Sequence, residues 1–221
     1  FTDVSGIFRA NPTIVKNPEV IDEITYREMR ELSYAGFGVF HDEALQPLHK
    51  DRIPVVIKNT NRPNDTGTFI RHDREINSSN IVSGISCDKG FTVLNIKKYL
   101  MNRQVGFTRK ILGVLEDYNI SFDHMPSGID SISIIMRSKE IHNREEQVLN
   151  DIRDKCDVDE LSVEHDLAIL MIVGEGMHRI VGTANTITHA LAESKINLKM
   201  MNQGASEISI MFGIDVADAD K

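Results

Sequence analysis

The chain contains few residues whose types and spacing match a known catalytic or binding motif. Gly174-Glu175-Gly176 follows an apolar stretch, as in the dinucleotide fingerprint G-x-G-x-x-G, but Arg179 occupies the third glycine position. The eight histidines form no HExxH pattern and no close pair with a cysteine, so no metal site is predicted. Cys87 and Cys156 lack Cys-x-x-Cys spacing, and we expect two free thiols in a reducing compartment. Any ligand site must therefore be sought in the elements that position polar residues.

The composition is that of a folded, acidic protein. The chain has 221 residues, 41% of them hydrophobic, and 25 Lys and Arg against 33 Asp and Glu give a formal charge of -8. An acidic surface suits nucleic acid poorly, and no apolar stretch reaches the roughly 18–20 residues that span a bilayer. We therefore expect a cytoplasmic protein that binds neither nucleic acid nor membranes. Phe1 is not an initiator methionine and residues 218–221 look like the first turn of a helix, so we expect the natural chain to extend at both ends.

An internal repeat organises most of the chain. Placing Gly106 on Gly182 aligns two long stretches without a gap. The period is longer than that of a solenoid repeat, about 20–50 residues, so two copies of a small domain are predicted. The matched pairs include Val93 with Ile169, Met101 with Met177, Ile111 with Ile187, Leu115 with Leu191 and Ile132 with Ile208.

Each copy is predicted to contain a strand, an amphipathic helix and two further strands. In the first helix Phe107, Ile111 and Leu115 recur at a spacing near the 3.6-residue turn. Copy one then adds a helix and a strand, which completes the ferredoxin-like order βαββαβ. Copy two ends where its second helix should begin, and a strand predicted over residues 81–87 could complete its sheet. The predicted ranges are strands 91–96, 120–125, 131–136 and 159–165 with helices 105–118 and 144–155 in copy one, and strands 167–173, 196–201 and 207–212 with helix 180–194 in copy two.

Residues 1–75 have a different pattern, in which short helices and strands alternate. Residues 2–8 form a turn-rich loop. Thr25 and Glu28 have the spacing of a capping box, which predicts a helix to about residue 34. A second helix at 42–49, a strand at 53–58 and a polar loop at 61–68 follow. This alternation is typical of the edge of an α/β domain, and the polar run 71–80 is the predicted boundary.

These features together resemble the aspartate kinases of the amino-acid kinase family. Thr2-Asp3-Val4-x-Gly6-Ile7-Phe8-x-Ala10-x-Pro12 is similar to the late nucleotide loop of that family. Residues 54–59 and Gly67-Thr68 match the end of its catalytic domain, and the repeat resembles its paired ACT domains. The resemblance implies an α/β remnant of an amino-acid kinase domain over residues 1–75, followed by an α+β ferredoxin-like ACT repeat with domains at 76–165 and 166–221.

The resemblance also implies a reaction. The family transfers the γ-phosphoryl group of MgATP to the side-chain carboxylate of L-aspartate, the first step of lysine, threonine and methionine biosynthesis. This chemistry needs cations that neutralise the phosphates. The family supplies them from a Lys-Gly-Gly loop and a second lysine that this sequence does not contain, so no catalytic residue is predicted within it. We expect ATP with magnesium as substrate, no tightly bound cofactor, and no activity from this segment alone.

The implied nucleotide-binding residues lie in the first part of the chain. Thr2 and Asp3 could hydrogen-bond the base or the ribose; alternatively, Asp3 only caps its own turn. Phe8 stands where the family usually has tyrosine, which keeps a ring for stacking and loses a hydroxyl. Thr13 stands where an arginine is usual and Gly38 where many members have lysine, so two cations of the family are replaced.

The ACT domains imply an amino-acid effector, usually lysine and sometimes threonine as well. A free amino acid needs backbone N–H groups for its carboxylate, which a helix N-terminus preceded by glycine supplies, and acceptors for its ammonium group. In copy two, Lys199 replaces Asp123 and puts a cation where an ammonium group would sit. Copy one is therefore predicted to be the sensor and copy two mainly structural. The implied effector site consists of Met101, Gly106, Phe107, Thr108, Asp123, Ser127, Gly128 and Asp130.

Two other functions stay open from the sequence. A non-catalytic amino-acid-sensing module would agree with the missing phosphate-binding lysines. An oligomerisation scaffold with empty ACT pockets would agree with the repeat. ACT strands in this family pair edge to edge across subunits, so the resemblance implies a homodimer or a larger assembly.

Overall fold

A computed structural model describes residues 2–36, 42–76 and 81–221 of the chain. The chain divides into two compact units, the first made of residues 1–88 and 169–221 and the second of residues 89–168. No helix within the described ranges has the length and apolar character needed to cross a membrane. The architecture agrees with the predicted fold class, an α/β segment followed by a ferredoxin-like repeat.

The first unit begins with a small three-stranded sheet and two helices. Thr25 caps the first helix as predicted: its hydroxyl accepts a hydrogen bond from Glu28 N at 3.1 Å, and the Glu28 carboxylate accepts one from Thr25 N at 2.9 Å. The central strand pairs parallel with the first and antiparallel with the second. Its first residue lies in the segment predicted to be a loop, 61–68, and its last in the predicted boundary run, 71–80. The elements are β1 (Glu23–Thr25), α1 (Tyr26–Tyr34), α2 (Asp42–Lys50), β2 (Val55–Ile57) and the central β3 (Thr68–Arg71).

The second unit is copy one of the repeat. Strand β5 pairs antiparallel with residues 91–97 of β4, and helices α3 and α5 pack against each other. The predicted apolar stripe of α3 is confirmed, because Phe107, Ile111 and Leu115 are buried in the core. The elements are β4 (Gly84–Lys97), α3 (Phe107–Asp117), β5 (Ser131–Arg137), α4 (Ser138–Ile141), α5 (Glu145–Cys156) and β6 (Glu160–Val173).

The strand predicted over residues 120–125 is replaced by a bulged edge. The backbone N–H groups of Asp123 and His124 both donate to the carbonyl oxygen of Ile135, at 2.8 and 3.3 Å. Two residues opposite one partner define a β-bulge, which interrupts a regular ladder. Two isolated bridges, from His124 to Ile135 and from Ser127 to Ile132, and a hydrogen bond from Ser133 N to Pro126 O at 3.0 Å also connect this part of the chain to β5.

Copy two completes the first unit with a second sheet. Residues 84–88 of β4 lie beside residues 169–173 of β6, followed by β8 and then β7. Ser83 N donates to Val173 O at 2.7 Å, and Gly174 N donates to Ile208 O at 2.8 Å. We call these strands the copy-two sheet. Its later elements are α6 (Thr183–Glu193), β7 (Met200–Gln203) and β8 (Ser209–Asp215).

Two pairs of strands predicted as separate are continuous in the structure. The predicted strands 81–87 and 91–96 are joined in β4, and 159–165 and 167–173 are joined in β6. Gly90 in β4 and Asp166 in β6 both have positive φ, 87° and 58°. Residues of this conformation usually mark turns, but here each is accommodated inside a strand that continues past it.

A buried ion pair links helix α1 to the segment that follows β3. The Glu28 side chain is 0% exposed and that of Arg74 is 2% exposed. Arg74 Nε and Nη2 donate to the two carboxylate oxygens of Glu28 at 2.9 and 2.7 Å. Ser83 Oγ and Glu175 N also donate to Glu28 Oε1, each at 2.7 Å. One carboxylate thus joins the kinase-like segment to the copy-two sheet within the first unit.

Gly174 and Gly176 are required by close packing and not by a dinucleotide. A Cβ atom at Gly174 would collide with the carbonyl oxygen of Ile81, and one at Gly176 would lie 2.7 Å from Ile81 Cα. The backbone of Glu175 between them reaches Glu28, as described above. These glycines therefore let the loop after β6 approach the strand that enters the copy-two sheet.

Candidate functional site

A cleft of about 650 Å³ lies beside the loop at residues 2–8 in the first unit. Asp3 and Phe8, two of the predicted nucleotide-binding residues, are in its lining. Thr2 is next to the cleft, and its hydroxyl donates to Asp3 Oδ1 at 3.1 Å. The lining consists of Asp3, Val4, Ser5, Phe8, Val20, Asn59, Asn61, Arg62 and Asp65.

Backbone pairing holds the start of this loop against the segment that follows β2. Thr2 N donates to Lys58 O at 3.1 Å, and Thr60 N donates to Thr2 O at 2.8 Å. Thr2 and Asn59 form a parallel bridge. The loop is therefore fixed at one side by the chain that leaves the small sheet.

The side chain of Asn59 ties together two walls of the cleft. It is 8% exposed. Its Nδ2 donates to Asp3 O at 2.9 Å and to Ser5 Oγ at 3.3 Å, and its Oδ1 accepts from Asn61 N at 2.8 Å. Asn59 therefore sets the spacing between the loop at residues 2–8 and the polar loop that begins at Asn61.

Phe8 and Val20 form an apolar wall. They face each other in an antiparallel bridge, and Ile21 N donates to Ile7 O at 2.7 Å beside it. Gly6 has a φ of 145°, and a Cβ atom there would lie 2.7 Å from Val20 Cγ1. The glycine of the loop motif is thus needed for the close approach that builds this wall.

The polar lining combines charge of both signs. Among the described residues that line the cleft, Arg62 is the one basic side chain, opposite in charge to Asp3 and Asp65. Arg62 sits in a turn in which Asp65 N donates to Arg62 O at 3.1 Å. With Phe8 and Val20 on the apolar side, the cleft offers surfaces for a flat ring, hydroxyl groups and a negative charge.

The remaining predicted nucleotide residues are placed elsewhere. Thr13 is exposed and forms a local turn, in which its N and Oγ1 donate to Asn11 Oδ1 at 3.0 and 2.8 Å. Gly38 lies outside the described residues. Four further lining residues come from the chain after β2, and the polar loop predicted at 61–68 is the available signal for three of them. These residues are Asn59, Asn61, Arg62 and Asp65.

The predicted effector residues of copy one surround the start of α3. Gly106 precedes the helix in a left-handed conformation with φ of 80°, and no side chain caps the helix N-terminus. Met101 and Phe107 are buried in the core of the second unit, 9% and 2% exposed, whereas Thr108 is half-buried. The first turn of α3 therefore has backbone N–H groups that a side chain does not satisfy.

The turn at residues 127–130 lies at the same end of the sheet. Lys98 N donates to Asp130 O at 2.9 Å, and Met101 N donates to Lys98 O at 3.1 Å. Gly128 N donates to Ser131 O at 2.8 Å and closes the turn. Asp130 Oδ1 is buried and accepts no hydrogen bond from the described residues. Ser127, Gly128 and Asp130 are thus brought near Met101.

Asp123 lies toward the opposite end of β5. Its Oδ2 is 4.0 Å from Arg137 Nε, and its side chain is 16% exposed. Its backbone pairs with Ile135, four residues beyond Ser131, which corresponds to about 13 Å of strand. The structure therefore brings most of the predicted effector residues to one end of β5 and places Asp123 farther along that strand, beside Ile135.

Copy two differs from copy one at this position. Lys199 Nζ lies 3.4 Å from Asp215 Oδ2, and Lys199 N donates to Gly213 O at 2.9 Å. A hydrogen bond from Ala217 N, together with the nearby Lys199, holds the pKa of Asp215 below its usual range. Copy two thus has a lysine, paired with Asp215, at the position where copy one has Asp123 beside Arg137.

Two family models match separate parts of the chain. A model described as the amino acid kinase family matches residues 1–59, and a model described as the ACT domain matches residues 170–221. The first contains most of the cleft lining, and the second contains most of copy two. The matches agree with the two kinds of fold seen in the first unit.

Relatives match the chain over its whole length. Aspartokinase 3 of Bacillus subtilis is 48% identical over 222 residues, which covers 100% of this chain and 49% of the relative. The solved aspartate kinase of Clostridium acetobutylicum, an allosteric enzyme, is 42% identical with a TM-score of 0.94 over 99% of this chain and 51% of its own. The chain thus spans about half the length of these relatives.

A more distant structure shows a similar fold. Aspartokinase III of E. coli was solved in complex with aspartate and ADP, and again with lysine and aspartate. Both structures are 24% identical to this chain, with TM-scores of 0.82 and 0.80 over 100% of it and 49% and 48% of their own chains. At this identity the likeness concerns the fold alone.

Proposed function

We propose, from the premise that this chain belongs to the aspartokinase family, that the protein transfers the γ-phosphoryl group of ATP to the side-chain carboxylate of L-aspartate. The observation that carries the proposal is a single alignment to an aspartokinase, 48% identical, that runs through the kinase-like segment and both copies of the repeat. The chain would contribute one side of the nucleotide site and the regulatory domains.

In this proposal the cleft beside residues 2–8 binds the nucleotide. Phe8 and Val20 contact the base, and Asp3 accepts hydrogen bonds from the base or the ribose. Arg62 supplies a cation that the sequence lacks at Thr13. Magnesium accompanies ATP as part of the substrate and neutralises charge on its phosphates.

The role of Asn59 gives a first prediction. We expect Asn59→Ala to weaken ADP binding about tenfold, because the cleft walls lose the amide that spaces them and Asp3 O loses a donor. The dissociation constant of ADP, measured by titration calorimetry on the full-length protein, tests this.

Asn64→Ala is the matched control for this prediction. Asn64 belongs to the same polar loop as Asn61, is exposed and does not line the cleft. Its replacement should leave ADP affinity unchanged. Equal affinities of the Asn59→Ala and Asn64→Ala variants for ADP would refute the assigned role of Asn59.

We further propose that lysine, sometimes together with threonine, regulates the enzyme through copy one. The first turn of α3 after Gly106 would bind the carboxylate, and Asp123 would bind an ammonium group. Because Asp123 pairs beside Ile135, about 13 Å along β5 from the end at which the turn of residues 127–130 lies, we propose that Asp123 of a second copy completes the pocket in a homo-oligomer. Lysine would then stabilise the inhibited arrangement by binding it more tightly than the active one.

The predicted domain boundaries fit this division of roles. The proposal assigns residues 1–75 to the kinase domain, 76–165 to the first ACT domain and 166–221 to the second. Residues 84–88, although they fall within the range 76–165, would be the fourth strand of the second ACT domain. In copy one, β4 would then lie between β5 and β6. In copy two, β6 would lie between β8 and residues 84–88 of β4.

Calorimetry on the full-length protein separates this function from its alternatives. We expect ADP and lysine each to bind, and hydroxylamine to trap an aspartyl phosphate when ATP and aspartate are supplied. Binding of lysine without binding of ADP would indicate the non-catalytic sensing module. A folded oligomer that binds neither would indicate the oligomerisation scaffold.

A further inference from the structure

Arg9 connects the wall of the nucleotide cleft to the copy-two sheet. It directly follows Phe8, and its backbone N–H donates to Glu19 O at 2.8 Å, next to Val20. Phe8 and Val20 are the two residues of the apolar wall. On this side, Arg9 therefore belongs to the structure of the cleft.

The other side of Arg9 is bonded to the strand that enters the copy-two sheet. Its carbonyl oxygen accepts a hydrogen bond from Ile85 N at 2.7 Å, and its Nη1 donates to Val82 O at 2.6 Å. Gly84 lies between these partners, and a Cβ atom there would be 2.9 Å from Leu32 Cδ1. The absence of a side chain at Gly84 lets the strand fit closely between Arg9 and helix α1.

The strand itself is fixed on its far edge. Ser83 N donates to Val173 O at 2.7 Å, and Ser83 Oγ donates to the buried carboxylate of Glu28 at 2.7 Å. A continuous series of hydrogen bonds thus runs from Phe8 and Arg9 through residues 82–85 to Val173, all within the first unit.

We propose that Arg9 is a positioning residue for nucleotide binding, through which the copy-two sheet sets the place of the Phe8 wall. The inference rests on the proposed function of the cleft. It assigns to copy two, which has Lys199 where copy one has the carboxylate of Asp123, a direct part in shaping the substrate site.

The proposed positioning effect of the Arg9 guanidinium group depends on its hydrogen bond to Val82 O and not on its ion pair with Glu19. Arg9 Nε is 3.3 Å from Glu19 Oε2, but the Glu19 side chain is 81% exposed, and exposed ion pairs contribute little. The bond from Nη1 to Val82 O is charge-assisted and short. Removal of the side chain should therefore loosen the link between Phe8 and the strand.

The test compares Arg9→Met, Arg9→Lys and Glu19→Gln in the full-length protein. For Arg9→Met we expect the ADP dissociation constant and the KM for ATP to rise about fivefold to tenfold, less than the loss of a charge-assisted hydrogen bond to the nucleotide itself would cause, because Arg9 acts through Phe8. The kcat and the KM for aspartate should stay within about twofold, because the proposal concerns only nucleotide placement. Arg9→Lys should restore part of the affinity, and Glu19→Gln should bind ADP like the parent protein.

The possible outcomes test the role of Arg9 separately from the proposed function, which is nucleotide binding in the cleft. Parent-like ADP affinity in a folded Arg9→Met variant would overturn the inference and leave the proposed function standing. An equal loss in Glu19→Gln would also overturn it, because the surface ion pair would then be responsible. Failure of the parent protein to bind ADP would instead overturn the proposed function. If Arg9→Met does not fold, Arg9→Lys decides: parent-like KM for ATP in that variant contradicts the need for the forked side chain.

Discussion

Glu28→Gln is expected to lower the free energy of unfolding by about 3–5 kcal/mol, because it removes the carboxylate that pairs with the buried guanidinium group of Arg74. Glu28 and Arg74 are 0% and 2% exposed, and the carboxylate also accepts hydrogen bonds from Ser83 and Glu175. A glutamine has one acceptor oxygen and cannot satisfy all of these donors. Urea unfolding followed by circular dichroism measures the change.

The control for this prediction is an exposed ion pair of the same unit. Glu23 and Arg71 lie 3.2 Å apart, and their side chains are 41% and 49% exposed. Glu23→Gln should cost less than about 1 kcal/mol, because solvent already screens that pair. If Glu28→Gln were as mild as Glu23→Gln, the buried pair would not stabilise the fold as argued.

The same carboxylate makes stability depend on pH. Burial alone would raise the pKa of Glu28, but hydrogen bonds from Arg74, Thr25, Glu175 and Ser83 outweigh it and hold the pKa below its usual value. A group with a lowered pKa in the folded state stabilises the protein above its ordinary pKa, and that stabilisation is lost as the pH falls through the folded value. The Glu28→Gln variant should therefore lose less stability than the parent protein between about pH 5 and pH 3.

Asp123→Asn is expected to weaken lysine binding at least tenfold. The substitution keeps the shape of the side chain and removes the negative charge proposed to face an ammonium group. Arg137, which lies beside Asp123, remains held over the Phe91 ring at 4.1 Å, so the local fold should persist. The lysine dissociation constant and the inhibition constant of the full-length enzyme provide the measurement.

Copy two offers the matched control for Asp123. Lys199 occupies the equivalent position and pairs with Asp215. Lys199→Ala should leave lysine affinity unchanged, because the proposal places the effector in copy one. Unchanged affinity in Asp123→Asn, or an equal loss in Lys199→Ala, would show that the effector binds elsewhere.

Local signals in the sequence predicted the elements that depend on local physics. Gly106 and Gly182 have φ of 80° and 92° and precede α3 and α6, where an L side chain would be strained. Thr25 and Glu28 form the predicted capping box, whose hydrogen bonds span only three residues. The repeat could be recognised because both copies bury the same positions of their strands.

Features that depend on distant partners were not predictable in this way. Arg74 lies in the polar run 71–80, whose composition predicts a domain boundary, yet it is buried because the carboxylate of Glu28, 46 residues earlier, pairs with it. The bulge at Asp123 arises because two N–H groups share the carbonyl of Ile135, and periodicity does not encode such sharing. Both the burial of Arg74 and the bulge at Asp123 depend on residues that are distant in the sequence.

The candidate nucleotide site likewise contains residues that local sequence predicts and residues that it does not. Asp3 and Phe8 could be named because they belong to a contiguous loop with a recognisable order of residues. Asn59 and Arg62 reach the same cleft from the chain after β2, and only the three-dimensional structure brings them to it. Residues on opposite walls of a cleft have no characteristic sequence spacing, so a single sequence does not show that they lie together.

The continuity of β4 and β6 has a consequence for synthesis on the ribosome. Because residues 89–168 are inserted between two neighbouring strands of the first unit, they emerge as a complete unit while residues 84–88 still lack their neighbour. The edge of β4 must wait for residues 169–173, and a waiting edge can pair with the wrong chain. Slow translation after residue 168 has emerged and before residues 169–173 emerge would therefore prolong the interval in which nascent chains are most prone to aggregate.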